Sequence, residues 1–223
     1  SWYMLNDKDW ETVYRTGDQD LFFDFYNPAF ANSIRYDRAV GFFSSRLLSA
    51  ALQGVSKFLK RDGKIRLVIG SPLEPDEYIA LQHGIALEKY VENLDARLFS
   101  LLQNADSLEN KRLQILAWMV ATNSIEIKYA LRLKGMYHEK IGIFSDEKGD
   151  KLVFLGSANE TPSAMMSDYN AESIMVFPSW KTELFDAYGK PCIDSFEELW
   201  CGRKTDTYTI DVQSETYRKI AEY

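Results

Sequence analysis

The stretch RAVGFFSSRLLSAALQGVSKFLKRDGKIRLVIG, residues 38–70, carries the reading on which the fold turns. Its opening run, RAVGFF, is a buried strand over 38–43 that stops at Ser44 and Ser45, whose hydroxyls suit a helix N-cap. Leu47, Leu48, Ala51, Leu52, Val55, Phe58 and Leu59 then recur at three- and four-residue steps, predicting a one-sided helix over about 46–60. RDGK supplies a solvated turn, and IRLVIG is a second buried strand ending at Gly70. A strand–helix–strand unit of this kind joins two parallel strands by a right-handed crossover.

The pattern continues on both sides. Upstream, DLFFDFYNPAFANSI (20–34) is aromatic and apolar, and Pro28 is expected to interrupt a helix there. Downstream, residues 75–122 read as two or three helices, with Asp106 or Ser107 as an N-cap and Glu109 in a first turn. SIEIKYALRL, MYHEKIGIF, KLVFLG and AESIMVF follow as about four strands. Residues 178–202 suggest one or two short helices, and TDTYTIDV a strand or an exit linker. The expectation is an α/β fold, a mixed and largely buried β-sheet flanked by helices, in a single domain over 1–223 with its core at about 20–202.

Composition narrows the function classes. At 25.7 kDa with 46% hydrophobic and 14% aromatic residues, the chain can bury a full core. Its 26 Lys+Arg against 33 Asp+Glu give a net charge of -7, which argues against a surface that grips nucleic acid everywhere and leaves room for a local basic cleft. No apolar run approaches the roughly 18 residues of a membrane span. Cys192 and Cys201 are too few for a disulfide framework and read as reduced thiols. Ser1 opens the chain with no secretory leader after it, which reads as excision or processing from a longer protein, cytoplasmic by default.

MYHEKIGIFSD, residues 136–146, holds one of two histidines in the chain. On a strand, His138, Lys140, Gly142 and Phe144 share one face. Further on, Gly156, Ser157 and Asn159 fall where a buried strand breaks into a loop, a setting that exposes amides and short polar side chains to an anion. Glu172 precedes another apolar run and needs a partner if buried. Imidazole as nucleophile, ammonium on non-bridging oxygens, Asn and Ser as donors and a carboxylate fixing the imidazole tautomer are the ingredients for attack on a phosphodiester.

HEKIGIFSD followed by GSAN resembles the phospholipase D superfamily signature: His, any residue, Lys, four residues, Asp, then Gly-Ser-any-Asn. One departure is visible, because Ser145 stands where that Asp belongs and Asp146 follows it. YDRAVGFFSS, GKIRLVIGS, GSANET and FEELWCG are similar to the phospholipase D-like nuclease domains attached to helicases in bacterial restriction and phage-defence proteins.

The resemblance implies an α-β-α sandwich and a covalent phosphohistidine mechanism without metal or other cofactor. Within it, His138 is nucleophile or acid, Lys140 and Asn159 clamp the phosphate, Ser157 assists and Glu172 orients the imidazole, with Asp146 and Gly156 as structural members of the motif. His83 has Ile85 where a second motif needs lysine. A homodimer with the site across its two-fold axis is therefore implied, as are DNA as substrate and a helicase partner in cis or trans. Lys128, Arg132 and Lys134, alternating on one strand, are candidates for phosphate contacts.

Each residue also has a plainer reading. His138 could be a hydrogen-bonded structural residue, Lys140 a snorkelling strand-end lysine and Glu172 a surface ion-pair member. Ser157 and Asn159 could shape a turn, and Thr161-Pro162 could open a helix. His83 reads as a helical residue with no chemical role. A rival enzyme reading takes Glu126-Ile127-Lys128 as the Glu-any-Lys spacing of metal-dependent nucleases, though an upstream acid is missing. A non-catalytic nucleic-acid-binding or dimerisation module is the rival from another class. A lipid-directed enzyme is disfavoured by the lack of a basic amphipathic face.

Overall fold

A computed structural model describes residues 3–41, 50–72, 92, 95–96, 110–132, 140–156 and 173–212. Its centre is the expected parallel pair. Strand β2 (Arg35–Val40) lies beside β3 (Lys64–Pro72), in register from Arg35 opposite Lys64 to Val40 opposite Ile69. The amphipathic helix α2 (Leu52–Lys60) lies between them in sequence and buries Val55 and Phe58. Strand β4 (Ile125–Arg132), which follows helix α3 (Asn110–Ala121), extends the parallel set.

The remaining strands run antiparallel to their neighbours. Strand β5 (Ile141–Ser145) pairs with β2, β6 (Lys151–Gly156) with β5, and β7 (Ser173–Pro178) with β6. The edges are β1 (Val13–Arg15) on β7 and β8 (Thr207–Asp211) on β4. Among the described residues the order is β1-β7-β6-β5-β2-β3-β4-β8. TDTYTIDV is thus a strand, so the second half has one strand more than expected. The three-residue β1 had no counterpart in the sequence reading.

Both sheet faces are covered. Tyr36, Leu67, Ile127, Phe144 and Phe154 belong to one apolar cluster together with Leu5, Trp10, Phe25, Phe30 and Phe58. Its rings interlock: Tyr36 stacks on Phe144 at 4.3 Å, and Phe30 meets Phe144 edge-on at 5.0 Å. Burying each such ring stabilises the fold by about 1.5–3 kcal/mol. On the other face, Ala39, Val68, Ala130, Ile143 and Val153 pack with Phe196, Leu199 and Trp200 of helix α4 (Lys190–Trp200). The result is the α-β-α layering expected.

Pro28 departs from the sequence reading, and Pro191 shows the same physical arrangement. Pro28 lies in the first turn of α1 (Asn27–Ala31) rather than ending a helix, because the wide π turn Phe22–Tyr26 leads directly into it. Likewise, the π turn Phe185–Gly189 joins the short helical turn Thr182–Leu184 to α4, which carries Pro191 in its first turn. A proline has no N–H to give and crowds the carbonyl four residues back. A wider turn beforehand moves that carbonyl aside and keeps the helix continuous.

An ionic clamp docks α4. Arg66 on β3 meets Asp37 on β2 through Nε–Oδ1 at 2.7 Å and Nη2–Oδ2 at 3.0 Å, a two-point contact. The same guanidinium donates to Glu197 on α4, through Nη1 to Oε2 at 3.3 Å and through Nη2 to Oε1, and lies over the rings of Phe196 and Trp200. Burial opposes the Arg66 charge, but the hydrogen bonds to the two carboxylates outweigh it and raise the Arg66 pKa. The hydrogen bond from Arg66 holds the Glu197 carboxyl below its ordinary value. This clamp explains why β2 begins at Arg35 rather than at Arg38: Asp37, 3% exposed, is a paired strand residue.

Candidate active site

One end of the sheet gathers the chain positions singled out above. The parallel strands β2, β3 and β4 finish there at Val40, Pro72 and Arg132, and β6 finishes there at Gly156. The antiparallel β5 and β7 begin at the same end, at Ile141 and Ser173. Loops at the carboxyl ends of parallel strands are a common place for ligand sites in α/β folds. His138, Lys134, Ser157, Asn159, Glu172 and His83 lie outside the described residues. Their nearest described neighbours in sequence include Lys140, Arg132, Gly156 and Ser173, all at this end.

Lys140 and Gly156 share a rung. The Gly156 N–H donates to the Lys140 carbonyl at 3.3 Å, extending the β5–β6 ladder by one step. Gly156 is tightly set, since a Cβ there would come within 2.5 Å of the Ser173 carbonyl oxygen and 2.8 Å of Ile174 Cγ2. By strand alternation, half-buried Lys140 falls on the face of Gly142 and Phe144.

That face holds a cation absent from the sequence reading. Arg38 lies directly opposite Gly142 in the β2–β5 register and is 1% exposed. Its guanidinium carbon sits 4.8 Å from the centroid of the Phe154 ring, within cation–π range. Phe154 itself opposes Gly142 on β6. Gly142 is therefore the gap between two large side chains.

Asp146 is at the far end of β5, where it organises the β5–β6 turn. Its Oδ1 accepts the Lys148 and Asp150 amides at 3.0 Å each, and its Oδ2 accepts the Leu5 amide at 3.0 Å. Gly149, at φ +88, supplies the left-handed residue that closes the turn. Asp146 thus ties the N-terminal segment to the hairpin, at the end of β5 away from Lys140.

Glu126, Lys128 and Arg132 alternate on the opposite face, the one that carries α4. Lys128 Nζ lies 4.2 Å from the Trp200 ring centroid, donates to the Trp200 carbonyl at 3.2 Å and stands 3.7 Å from Asp211. Arg132 pairs with Asp206 at 3.0 Å. Strand β4 is therefore no edge strand, and its lysine packs under β8 and α4. Among the described residues, no three of His, Cys, Asp or Glu are grouped to hold a metal ion, and no helix is long and apolar enough to cross a membrane.

Residues 35–200 match the family described as cardiolipin synthase, PLD-like domain. The chain belongs to this phospholipase D-like family. No protein of curated function matches it in sequence. Among solved structures, it is similar to NucT from Helicobacter pylori, at 13% identity and TM-score 0.47 over 88% of this chain and 96% of that one. It is also similar to Nuc, a phospholipase D family member from Salmonella typhimurium, at 12% identity and TM-score 0.46 over 91% and 97% of the two chains. A third is the phosphatidylserine synthase of Haemophilus influenzae Rd KW20, at 12% identity and TM-score 0.47 over 94% of this chain and 44% of that one.

For this phospholipase D-like domain, sequence reasoning gave no role to two buried polar groups on the Lys140 face, Arg38 and Asp95, the second set aside as an upstream acid because it lies in helical sequence. Arg38 had a visible signal, a permanent charge at the head of the apolar run 38–43. Asp95, 3% exposed, accepts a 2.6 Å hydrogen bond from the Tyr129 hydroxyl of β4. Its place inside a helical stretch hid it, because nothing local says which helical acids turn inward.

Proposed function

We propose that this phospholipase D-like domain hydrolyses DNA phosphodiester bonds through a covalent phosphohistidine. The His138 imidazole attacks phosphorus, the P–N bond forms as the P–O bond to the leaving nucleotide breaks, and Lys140 with Asn159 and Ser157 offsets the charge on the non-bridging oxygens. Glu172 holds the His138 tautomer. The partner subunit's His138 protonates the leaving oxygen and then takes a proton from the water that releases the phosphate. The working unit is accordingly a homodimer with its site on the two-fold axis. Arg132 and Lys134 meet phosphates beyond the cleaved one. A restriction or phage-defence setting with a helicase partner fits the same resemblance.

The observation that carries this reading is the shared rung of Lys140 and Gly156. Of the His138-any-Lys140 and Gly156-Ser157-any-Asn159 halves of the motif, the described members Lys140 and Gly156 are hydrogen-bonded neighbours on adjacent strands.

The test is cleavage of single- and double-stranded DNA in excess EDTA, with His138→Ala alongside. Cleavage that survives chelation and disappears in the mutant is the expected result. Cleavage that needs magnesium and ignores the mutation would reject the mechanism.

A further inference from the structure

We propose that Lys151 is a nucleophilic lysine, the site at which this chain forms an imine with a small aldehyde whose anionic group is held by Arg35. The site lies at the end of β5 away from Lys140 and does not depend on the phosphodiester reading.

Three observations distinguish this amine. Lys151, Ser145 and Arg35 form one row across β6, β5 and β2, with Ser145 opposite both of the others. Within that row the half-buried Lys151 donates from Nζ to the Ser145 hydroxyl oxygen at 2.9 Å, and Ser145 is 6% exposed. Ser145 stands where the phospholipase D signature has Asp, so the amine meets a neutral oxygen where a carboxylate would hold its proton. The third observation is that the surrounding carboxylates are engaged elsewhere. Asp37 takes Arg66 at 2.7 Å and Arg35 at 3.3 Å, and Glu197 takes Arg66. Among the described residues, no carboxylate contacts the Lys151 amine.

A half-buried ammonium with a hydroxyl in place of a counter-charge gives up its proton more readily than one in water. Burial lowers the Lys151 pKa; Asp37 opposes that shift, Arg35 and Arg66 add to it, and Glu197 opposes it. The uncharged amine is the nucleophile. Its lone pair attacks the aldehyde carbon to form the C–N bond, and the π pair of the carbonyl passes to oxygen. The Ser145 hydroxyl relays a proton from nitrogen to that oxygen, and the carbinolamine loses water to leave the imine. Arg35, whose side chain is 46% exposed, offers its planar fork to the phosphate or carboxylate of the incoming aldehyde. A Lys151 that only ties β6 to β5 would react no faster than a surface lysine.

The test reacts the full chain near neutral pH with pyridoxal phosphate, traps imines with borohydride and maps the labelled lysines by mass spectrometry. Pyridoxal, the same aldehyde without its phosphate, is run alongside. Ser145→Asp returns a carboxylate to the amine while keeping the lysine, and Arg35→Gln removes the contact to the anion; thermal melts establish that each variant is folded. The expected outcome is Lys151 labelled several-fold faster than the exposed Lys57, Lys60 and Lys148, and several-fold faster by pyridoxal phosphate than by pyridoxal. Ser145→Asp should lose the preference for Lys151, and Arg35→Gln should bring the two aldehydes to similar rates. Wild-type protein that labels Lys151 no faster than those surface lysines overturns the proposal without recourse to any variant. A folded Ser145→Asp that labels like the wild type overturns it too, as do equal wild-type rates with the two aldehydes.

Discussion

The ring of Phe154 fills the space that a Cβ on Gly142 would enter, with Cε1 2.0 Å and Cζ 2.1 Å from that position. Gly142→Ala therefore forces the ring and the guanidinium above it to move. Overpacking of this kind costs about 1–3 kcal/mol. For a chain of this size that lowers the melting temperature by about 2–4 °C per kcal/mol, measurable by calorimetry. A melt unchanged from wild type would mean that the β5–β6 pair has slack there.

Asp146→Ala should act on stability and spare chemistry. It strips the acceptor from three backbone amides, those of Leu5, Lys148 and Asp150. The expected cost is about 3 kcal/mol, since hydrogen bonds to a charged group contribute more than neutral ones and the orphaned donors lose their partner. Urea denaturation reads the loss, and faster hydrogen exchange at Leu5 would locate it. kcat at saturating DNA should stay within about twofold of wild type, because the carboxylate is six residues along the strand from Lys140, with five rungs of the β5–β6 ladder between them.

Lys140→Met should separate the other way. Removing a fixed donor from a developing oxyanion typically lowers kcat about 10²–10³-fold. Lys140 is half-buried near a strand end, so its melt should shift little. A variant with full activity would remove Lys140 from the proposed machinery.

Glu126→Ala and Lys128→Met test the metal-dependent alternative directly. Lys128 is held by Trp200 and Asp211 on the α4 face, so its replacement should cost about 1 kcal/mol of stability and leave cleavage intact. Loss of magnesium-dependent cleavage in either variant would restore that alternative.

The Arg66–Glu197 contact predicts an acid limb in stability. Because the folded pKa of Glu197 is depressed, its contribution is fully present above the ordinary value near 4.5 and is lost as pH falls through the depressed one. Melting temperatures measured from pH 6 down to pH 3 should fall, and Glu197→Gln should flatten part of that fall. Solvent around the partly exposed carboxylate keeps the effect modest. An unchanged slope in the mutant would show that other carboxylates set the acid limit.

Periodicity exposed the β2–α2–β3 unit because its strands end in unbroken apolar runs, Ala39–Val40 and Leu67–Ile69, and its helix is apolar on one side. The β5–β6 hairpin was readable for a similar reason, two short apolar runs separated by the polar turn 146–150. Pairing between distant segments was not readable. β1 is three residues long and pairs with β7 by tertiary placement alone, so no local pattern announces it. The π turns before Pro28 and Pro191 were hidden because proline signals only that a regular helix cannot continue, not that a wider turn can absorb it. At the site, spacing named the two motif halves, while Arg38 was overlooked because it looked like the first residue of an apolar strand.

The stretch that matches the family runs from 35 to 200, and β1 and β8 both lie outside it. So do Phe25 and Phe30, which close over Phe144 and Phe154. A fragment cut at those limits would bare two unpaired backbone ladders, on β7 and β4, and uncover part of the aromatic core. Open strand edges beside exposed rings are a template for aggregation. Family likeness is thus a poor guide to where this chain can be trimmed: a soluble fragment has to keep Leu5, whose amide Asp146 holds, and run through Asp211.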